Sequence, residues 1–466
     1  MLGVRTLVWF RGKDLRISDH APLRSAAEGG EIIPLFVLDP YFFAPERARE
    51  LPHRIQFLLQ SLVALRDNIG AKGSRLIVVA GKSTEVVPRL ATKWKVDRVV
   101  AQRWTEPFAR ERDRRITEAL DVPFDLFEGE LLRPPGTLRT GGGTPYAVFT
   151  PFMRNLLDST PIDSALPAPR SLPALPADLE KVEETEIPAV EDLGLTPNPA
   201  ILKGGERAAR KRLKDFLADA AAHYHSDRDR MDLARTSRLS ADLKFGTLSP
   251  RTVWHAVQSE LGRTQAAKVF GSELIWREFY YHTLWDRPSI LEKPVREKFA
   301  GFPWEFDQEL WDAWVEGRTG YPVVDAASRQ LLGEGFVHNR ARMIHASFLT
   351  KHLMIPYRYG EAHYMKYLTD GDWASNNGGW QWSAGCGCDA QPYFRVFNPI
   401  TQGQKFDPSG DYVKRWVPEL ADMPVKQIHW PHDAGLLRGD YPAPVVEHKA
   451  AREHFLATAK AYFDRE

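Results

Sequence analysis

The sequence predicts an α/β domain with a parallel, five-stranded, Rossmann-like sheet, followed by a mainly α-helical domain. Three observations carry that reading. Over residues 1–130, short apolar runs alternate with longer amphipathic segments, as in strands joined by crossover helices. Residues 131–200 turn rich in proline and scattered acid, and read as an extended linker between domains. Over residues 201–466 apolar positions recur at helical spacing and strand-like alternation is scarce. A chain of 466 residues is also too long for one ordinary core.

The expected strands are Thr6–Phe10, Ile32–Leu38, Arg75–Ala80, Arg98–Ala101 and Phe124–Phe127. Between them, His53–Asn68 and Ser83–Trp94 read as helices, with Ser83 as the N-cap of the second and Val86 and Val87 on its buried face. No G-x-G-x-x-G opens a helix after a strand, so the usual dinucleotide fingerprint is missing. Gly141–Gly143 reads as a loop. Beyond Gly204, Ala209, Leu213, Phe216, Leu217 and Ala220 make a helical stripe, opposite Arg207, Arg210, Lys211 and Lys214. Further helices are expected at Glu273–Leu284, Val324–Leu332, Asn339–Leu353 and Ala362–Leu368.

Composition narrows the function classes. Hydrophobic content of 43% and charged content of 26% suit a soluble globular protein, and a net charge of +1 gives no overall pull towards nucleic acid or membrane. Any DNA contact must therefore come from a local basic patch. No run reaches membrane-span length, and the first residues lack a signal-peptide layout. The two cysteines, Cys386 and Cys388, sit too close in sequence for an unstrained disulfide and have no histidine beside them for zinc. A reducing, cytoplasmic setting and no metal are expected.

The densest chemistry lies in DGDWASNNGGWQWSAGCGCD, Asp370–Asp389. Asp370 and Asp372 offer acceptors, Asn376 and Asn377 both donors and acceptors. Trp380 and Trp382 point in different directions in any regular structure, so each ring can serve a different partner. The composition suits a pocket for a flat, polar, aromatic ligand, and equally a Trp-rich core helix ending in a turn. Thr236, Ser237, Arg238, Leu239 and Ser240 supply the hydroxyls and guanidinium a diphosphate needs, though the same residues fit a turn. On a helix, Glu273, Trp276 and Arg277 share a face and suit a nucleobase beside a phosphate, or an exposed ion pair. Asn339 and Met343 share another face, while Arg340 and Arg342 point elsewhere and can reach two different anions. Trp304, Trp314, Tyr357, Trp373 and Trp380 are candidate one-electron carriers or separate core aromatics.

Taken in order, WFRGKDLRISDHAPL, TPYAVFTPF, TSRLSADLKFGTLSPR, ELIWREFYYH, TGYPVVDAASRQL, VHNRARM, NNGGWQW and PYFRVFNPITQGQKFDPSGDYVKRWVPEL resemble the photolyase/cryptochrome family, most closely its microbial, class I-like cyclobutane pyrimidine dimer photolyases. The resemblance covers nearly the whole chain. It implies a helical FAD-binding domain and blue-light repair of dimers in UV-damaged DNA by electron transfer from reduced FAD. For the flavin it implies Tyr224, Thr236, Ser237, Arg238, Leu239, Ser240, Phe270, Arg342, Asp370, Gly371, Asp372 and Asn376, with Arg342 pairing Asp370 and Asn376 facing the flavin N5. For a flipped-out dimer it implies Glu273, Trp276, Tyr280, Asn339, Met343 and Trp382. Near the DNA backbone it implies Arg228, Arg277, Arg340, Arg395 and Gln402. The family's electron path maps onto Trp304, Tyr357 and Trp380, with tyrosine where a middle tryptophan is usual and Trp373 as a possible detour. Ala109 and Leu291-Glu292 stand where folate-binding members carry a glutamate and a Cys-Lys pair, so the identity of a second, antenna chromophore is left open. The alternatives are a cryptochrome-type photoreceptor, a (6-4) photolyase and a flavin electron-transfer protein without DNA. His338-Asn339 stands where the (6-4) chemistry looks for a histidine pair. By resemblance the protein is a monomer.

Overall fold

The computed structural model describes residues 3–179 and 184–464, so residues 180–183 of the expected linker lie outside it. The chain divides into two units. Unit 1 comprises residues 1–146, 150–222 and 237–288, and unit 2 comprises residues 147–149, 223–236 and 289–466. The division differs from the expected boundaries: most of the proline-rich connector and the helices up to residue 288, apart from the short helix Tyr224–Asp227, group with the sheet.

Unit 1 is built on five parallel strands, β1 (Thr6–Phe10), β2 (Ile32–Leu38), β3 (Ile77–Ala80), β4 (Arg98–Gln102) and β5 (Phe124–Phe127), in the order β3-β2-β1-β4-β5. Trp9 lies opposite Leu35 on one side and Ala101 on the other. Every residue of β1 and β2 is buried, as expected for a sheet covered on both faces. The pleat sorts side chains between two cores. Val8, Phe10, Ile32, Phe36 and Val78 meet Ile55, Leu58 and Leu62 of the helix Pro52–Gly70. Leu7, Trp9, Ile33, Leu35 and Ile77 meet Val86, Val87 and Leu90 of the helix Ser83–Lys93. The N-cap of that helix is Lys82, not Ser83. Ser83 is its first residue, and both its N–H and its hydroxyl donate to Asp39.

The connector is docked rather than free. Leu172 and Leu193 are buried in the first of these cores, and the Leu172 and Thr185 N–H groups donate to the carbonyls of Lys72 and Val78. Prolines lack the donors for a helix, yet a few apolar residues suffice to seat an extended chain. The helix Ser240–Phe245 ends at Gly246, whose φ of +61° needs glycine, and a Cβ there would overlap the Lys13 carbonyl.

Among its described residues unit 2 has helices and no strand: Gln308–Glu316, Pro322–Glu334, Asn339–Lys351, Tyr357–Tyr367, Trp373–Ala384, Pro399–Phe406, Asp411–Trp416 and His448–Phe463 are its α-helices of six residues or more. Its core gathers Trp314, Val324, Leu331, Ile344, Phe348, Leu349, Tyr364 and Trp380.

Candidate functional site

The residues singled out in the sequence fall in both units. In unit 2 the Asp370–Asp389 tract folds as the helix Trp373–Ala384 and its caps. Asp372 is the N-cap and accepts from the Ser375 N–H at 2.9 Å, and Gly385 ends the helix with φ +91°. Arg342, on the helix Asn339–Lys351, donates through Nη2 to both Asp370 oxygens, at 2.8 and 3.1 Å. Its Nε donates to the Val337 carbonyl at 2.8 Å, which fixes the guanidinium. The expected Arg342–Asp370 pair is therefore formed, with the Asp370 side chain only 6% exposed.

Asn376 is buried, and its Nδ2 donates to the Glu361 carbonyl at 3.0 Å. A carbonyl only accepts, so Nδ2 is the nitrogen at that end; one of its two hydrogens is used there, and Oδ1 is left as an acceptor for a ligand. Asn377 is tied to Glu361 Oε1 and to the Ile290 carbonyl, and serves the scaffold. Trp380 is buried in the core, while Trp382 stays half-buried, so the two rings do take different surroundings. Asn339 is exposed at the first turn of its helix, with Nδ2 4.0 Å from the Met343 sulfur. His338 caps that helix, and burial pushes its pKa down to about 4, so the imidazole is neutral.

In unit 1, Glu273, Trp276, Arg277 and Tyr280 form one half-buried stripe on the helix Gln265–Asp286. The Trp276 and Tyr280 rings lie 5.7 Å apart. Phe270 is buried against Phe216, and Leu239 is buried as well. Arg238 adopts φ +52°, a conformation that non-glycine residues rarely hold and that recurs where a chain is bent around a ligand. Tyr224 and Thr236 belong to unit 2, and Ser237 and Ser240 to unit 1.

The arginines expected at DNA phosphates are differently placed. Arg277 turns inward: Nη1 donates to the Glu130 carbonyl at 2.9 Å and the guanidinium lies over the Tyr281 ring. That arrangement argues against a phosphate contact, because the cation is already hydrogen-bonded and stacked. Arg340 pairs with Asp229 at 2.8 Å over the Phe406 ring, and Arg228 approaches the same carboxylate at 3.8 Å. Arg395 is exposed and Gln402 half-buried. Among the described residues, no ring pairs with Tyr357, Trp373 or Trp382. The expected Trp304–Tyr357–Trp380 series therefore has no ring-to-ring contact, and Trp373 offers no detour through one.

The family model of DNA photolyase matches residues 6–173, and that of the FAD binding domain of DNA photolyase matches residues 270–461. A deoxyribodipyrimidine photo-lyase of Thermus thermophilus is 40% identical over 455 residues, spanning 97% of this chain and 98% of that protein.

The chain belongs to the photolyase/cryptochrome family.

Among solved structures, a bacterial class III photolyase from Agrobacterium tumefaciens superposes with a TM-score of 0.92 at 38% identity, covering 100% of this chain and 98% of that one. The Synechocystis cryptochrome gives 0.89 at 31% identity, covering 98% and 100%. The residues present fit FAD. Within unit 2, Asn376 Oδ1 is an acceptor for a ring N–H of a reduced flavin, and the Arg342–Asp370 pair supplies fixed opposite charges.

What the sequence missed is the packing around the photolyase-like tract. Gly360 is the clearest case: a Cβ there would lie 2.5 Å from Cζ3 of Trp380, so glycine opens the space the indole fills. No sequence pattern marks a glycine inside a helix as the floor of a ring. The other omission is Trp311, whose spacing from Trp314 was the available clue.

Proposed function

We propose that this protein is a blue-light-dependent DNA repair enzyme acting on cyclobutane pyrimidine dimers, a deoxyribodipyrimidine photo-lyase. The observation that carries this reading is full-length likeness, at 37–40% identity, to proteins of that name from several bacteria. When bound, FAD supplies the light-driven one-electron transfer that opens the cyclobutane ring.

The chain's own residues position and insulate. Arg342, Asp370, Asp372 and Asn376 bind and orient the cofactor; by residue type, the hydroxyls and guanidinium of Thr236–Ser240 suit a diphosphate. Trp382 of unit 2 is a ring suited to an extruded base, as Trp276 is in unit 1, and a damaged pair costs less to extrude than an intact one. Asn339, with Met343 beside it, is suited to hydrogen-bond a pyrimidine edge, and by residue type so is Glu273 on its own unit. Arg395 is the exposed cation best suited to a phosphate, and Gln402 stands near it in sequence. The pairing of Arg228 and Arg340 with Asp229 supports a DNA surface of modest charge. No helix among the described residues is long and apolar enough to cross a membrane. We propose that the protein works as a monomer in the cytoplasm. The antenna remains outside this assignment.

Binding tests the reading. The purified holoprotein, kept dark, is titrated with a duplex carrying one thymine dimer and with the same duplex undamaged. Preference for the damaged duplex, reduced in Glu273→Ala and Asn339→Ala, is expected. Equal affinity for both would favour a cryptochrome-type photoreceptor, for which the likeness to the Synechocystis cryptochrome stands.

A further inference from the structure

Lys351 is the last residue of the helix Asn339–Lys351 and is completely buried. An ammonium is costly to bury without an anion beside it. Among the described residues no carboxylate pairs with it. The Cys386 thiol acts on it electrostatically, but burial pushes that thiol up to about 12, so it stays neutral. Burial, with the Arg395 cation acting in the same sense, pushes the Lys351 pKa down to about 7. The helix dipole favours a cation at a C-terminus, yet an exposed one would serve as well. The burial of this lysine therefore needs a second reason.

The bond it makes supplies that reason. Lys351 Nζ donates to the main-chain carbonyl of Arg395 at 2.8 Å. Arg395 sits in the irregular loop 391–398, between the helices Trp373–Ala384 and Pro399–Phe406. A loop carbonyl turned towards the core has no ladder to satisfy it and needs another donor. The ends of the loop are tied elsewhere: Gln391 donates to the Ser383 carbonyl at 2.8 Å, and Asn398 caps the following helix. The Tyr393 ring meets Phe463 at 4.9 Å. At Arg395 itself the tie from below is Lys351. On the outer side, Phe394 is 60% exposed and Arg395 is exposed. Among the described residues no carboxylate holds the Arg395 guanidinium, whereas Arg340 is held by Asp229. A buried positive charge beneath a surface guanidinium repels it towards solvent and adds to the local attraction for an anion.

We propose that Lys351 is a positioning residue for DNA binding: it fixes the Arg395 main chain so that the guanidinium stands clear of the protein and meets a phosphate. The inference rests on the DNA reading above and extends it to a buried side chain that no duplex can touch. Lys351 closes the helix whose first turns carry Asn339, Arg342 and Met343. One rigid element thus holds both the pocket residues and the anchor of the phosphate-binding loop. Phosphate contacts set register and orientation and carry no information about the bases. Loss of the anchor therefore weakens damaged and undamaged duplex alike.

The test titrates the FAD-loaded protein, kept dark, with dimer-bearing and undamaged duplexes over a range of salt concentrations. Arg395→Ala is expected to reduce the slope of log affinity against log salt by about 0.9, the contribution of one phosphate contact. Lys351→Met, similar in volume but without the donor, is expected to reduce it equally and to weaken both duplexes by one common factor. The double variant should then lose no more than Arg395→Ala alone. Phe455→Leu is the packing control, since that ring lies 5.9 Å from the same ammonium. It should lower the melting temperature and keep the wild-type slope. Lys351→Leu is a second apolar variant, read in the same way if Lys351→Met does not fold. A wild-type slope in Arg395→Ala or Lys351→Met, an equal loss of slope in Phe455→Leu, or additive losses in the double variant would overturn the proposal. Peptide-resolved hydrogen exchange over residues 391–398 reads the anchor without DNA, and should be faster in Lys351→Met than in Phe455→Leu. Wild-type protein that binds both duplexes equally would count against the photolyase reading, and the exchange would still decide the anchor.

Discussion

Gly360 and Arg342 show how single residues set the site. Adding a methyl group at residue 360 forces Trp380 or Leu349 to move, because both already touch the space a Cβ would take. Gly360→Ala is expected to cost about 1–3 kcal/mol of stability, the range for overpacking a core, and to alter flavin fluorescence. Urea denaturation and the emission spectrum of the bound cofactor check both. Arg342→Ala strips a buried carboxylate of its partner. Because the arginine is itself a quarter exposed, the loss should fall below the roughly 3–5 kcal/mol of a fully buried pair. Flavin retention should drop, and Arg342→Lys should not restore it, since an ammonium lacks the fork that spans both Asp370 oxygens and the Val337 carbonyl. Flavin content after gel filtration is the readout. At this scale the sequence was informative where chemistry is carried by residue type: Asp370, Asp372, Asn376 and Arg342 could be named before any coordinates. It was silent where the property is a vacancy, as at Gly360, or an orientation, as at Arg277, whose inward turn depends on a carbonyl far away in the chain.

Elements with strong periodicity were legible and their ends were not. All five strands were readable from apolar runs; the fully buried β1 and β2 leave no room for polar residues, and the half-buried edge strand Phe124–Phe127 still alternates apolar with Asp125. The start of the helix Ser83–Lys93 was misplaced by one residue, since Asp39 draws the Ser83 hydroxyl away from capping. The proline-rich connector gave no sign that Leu172 and Leu193 would be buried. The helix Gln265–Asp286 carries a consequence the sequence hid. Its Glu278 is fully buried, with Oε2 accepting from the Leu132 and Arg133 N–H groups, and burial pushes its pKa up to about 7. The folded state thus holds a proton that the unfolded chain releases above the ordinary carboxyl value of 4.5. Its contribution to stability is complete below pH 4.5 and is lost as pH rises to about 7. Glu278→Gln is expected to flatten that part of the pH profile in thermal melts. An unchanged slope between wild type and variant would show that this carboxyl is not the titrating group.

Across the whole molecule, buried histidines oppose that trend. Burial pushes His282, His338 and His363 down to about 4 and His352 to about 3. The unfolded chain binds protons at these positions from the ordinary imidazole value of 6.5 downward. Their stabilisation is therefore complete above pH 6.5 and lost as pH falls towards 4. Three of the four lie in unit 2, so acid should unfold the helical unit before the sheet. Circular dichroism and peptide-resolved hydrogen exchange at falling pH check the order of loss. The general likeness to photolyases was legible because its motifs are spread along nearly the entire chain, while the grouping of residues 150–222 with the sheet was not. The measurement that tests the central claim most directly is repair of an oligonucleotide bearing one thymine cyclobutane dimer by the purified, reduced protein under blue light, with a dark control. Light-dependent recovery of both thymines is predicted. A flavin-loaded, reduced protein that leaves the dimer intact under light would contradict the account.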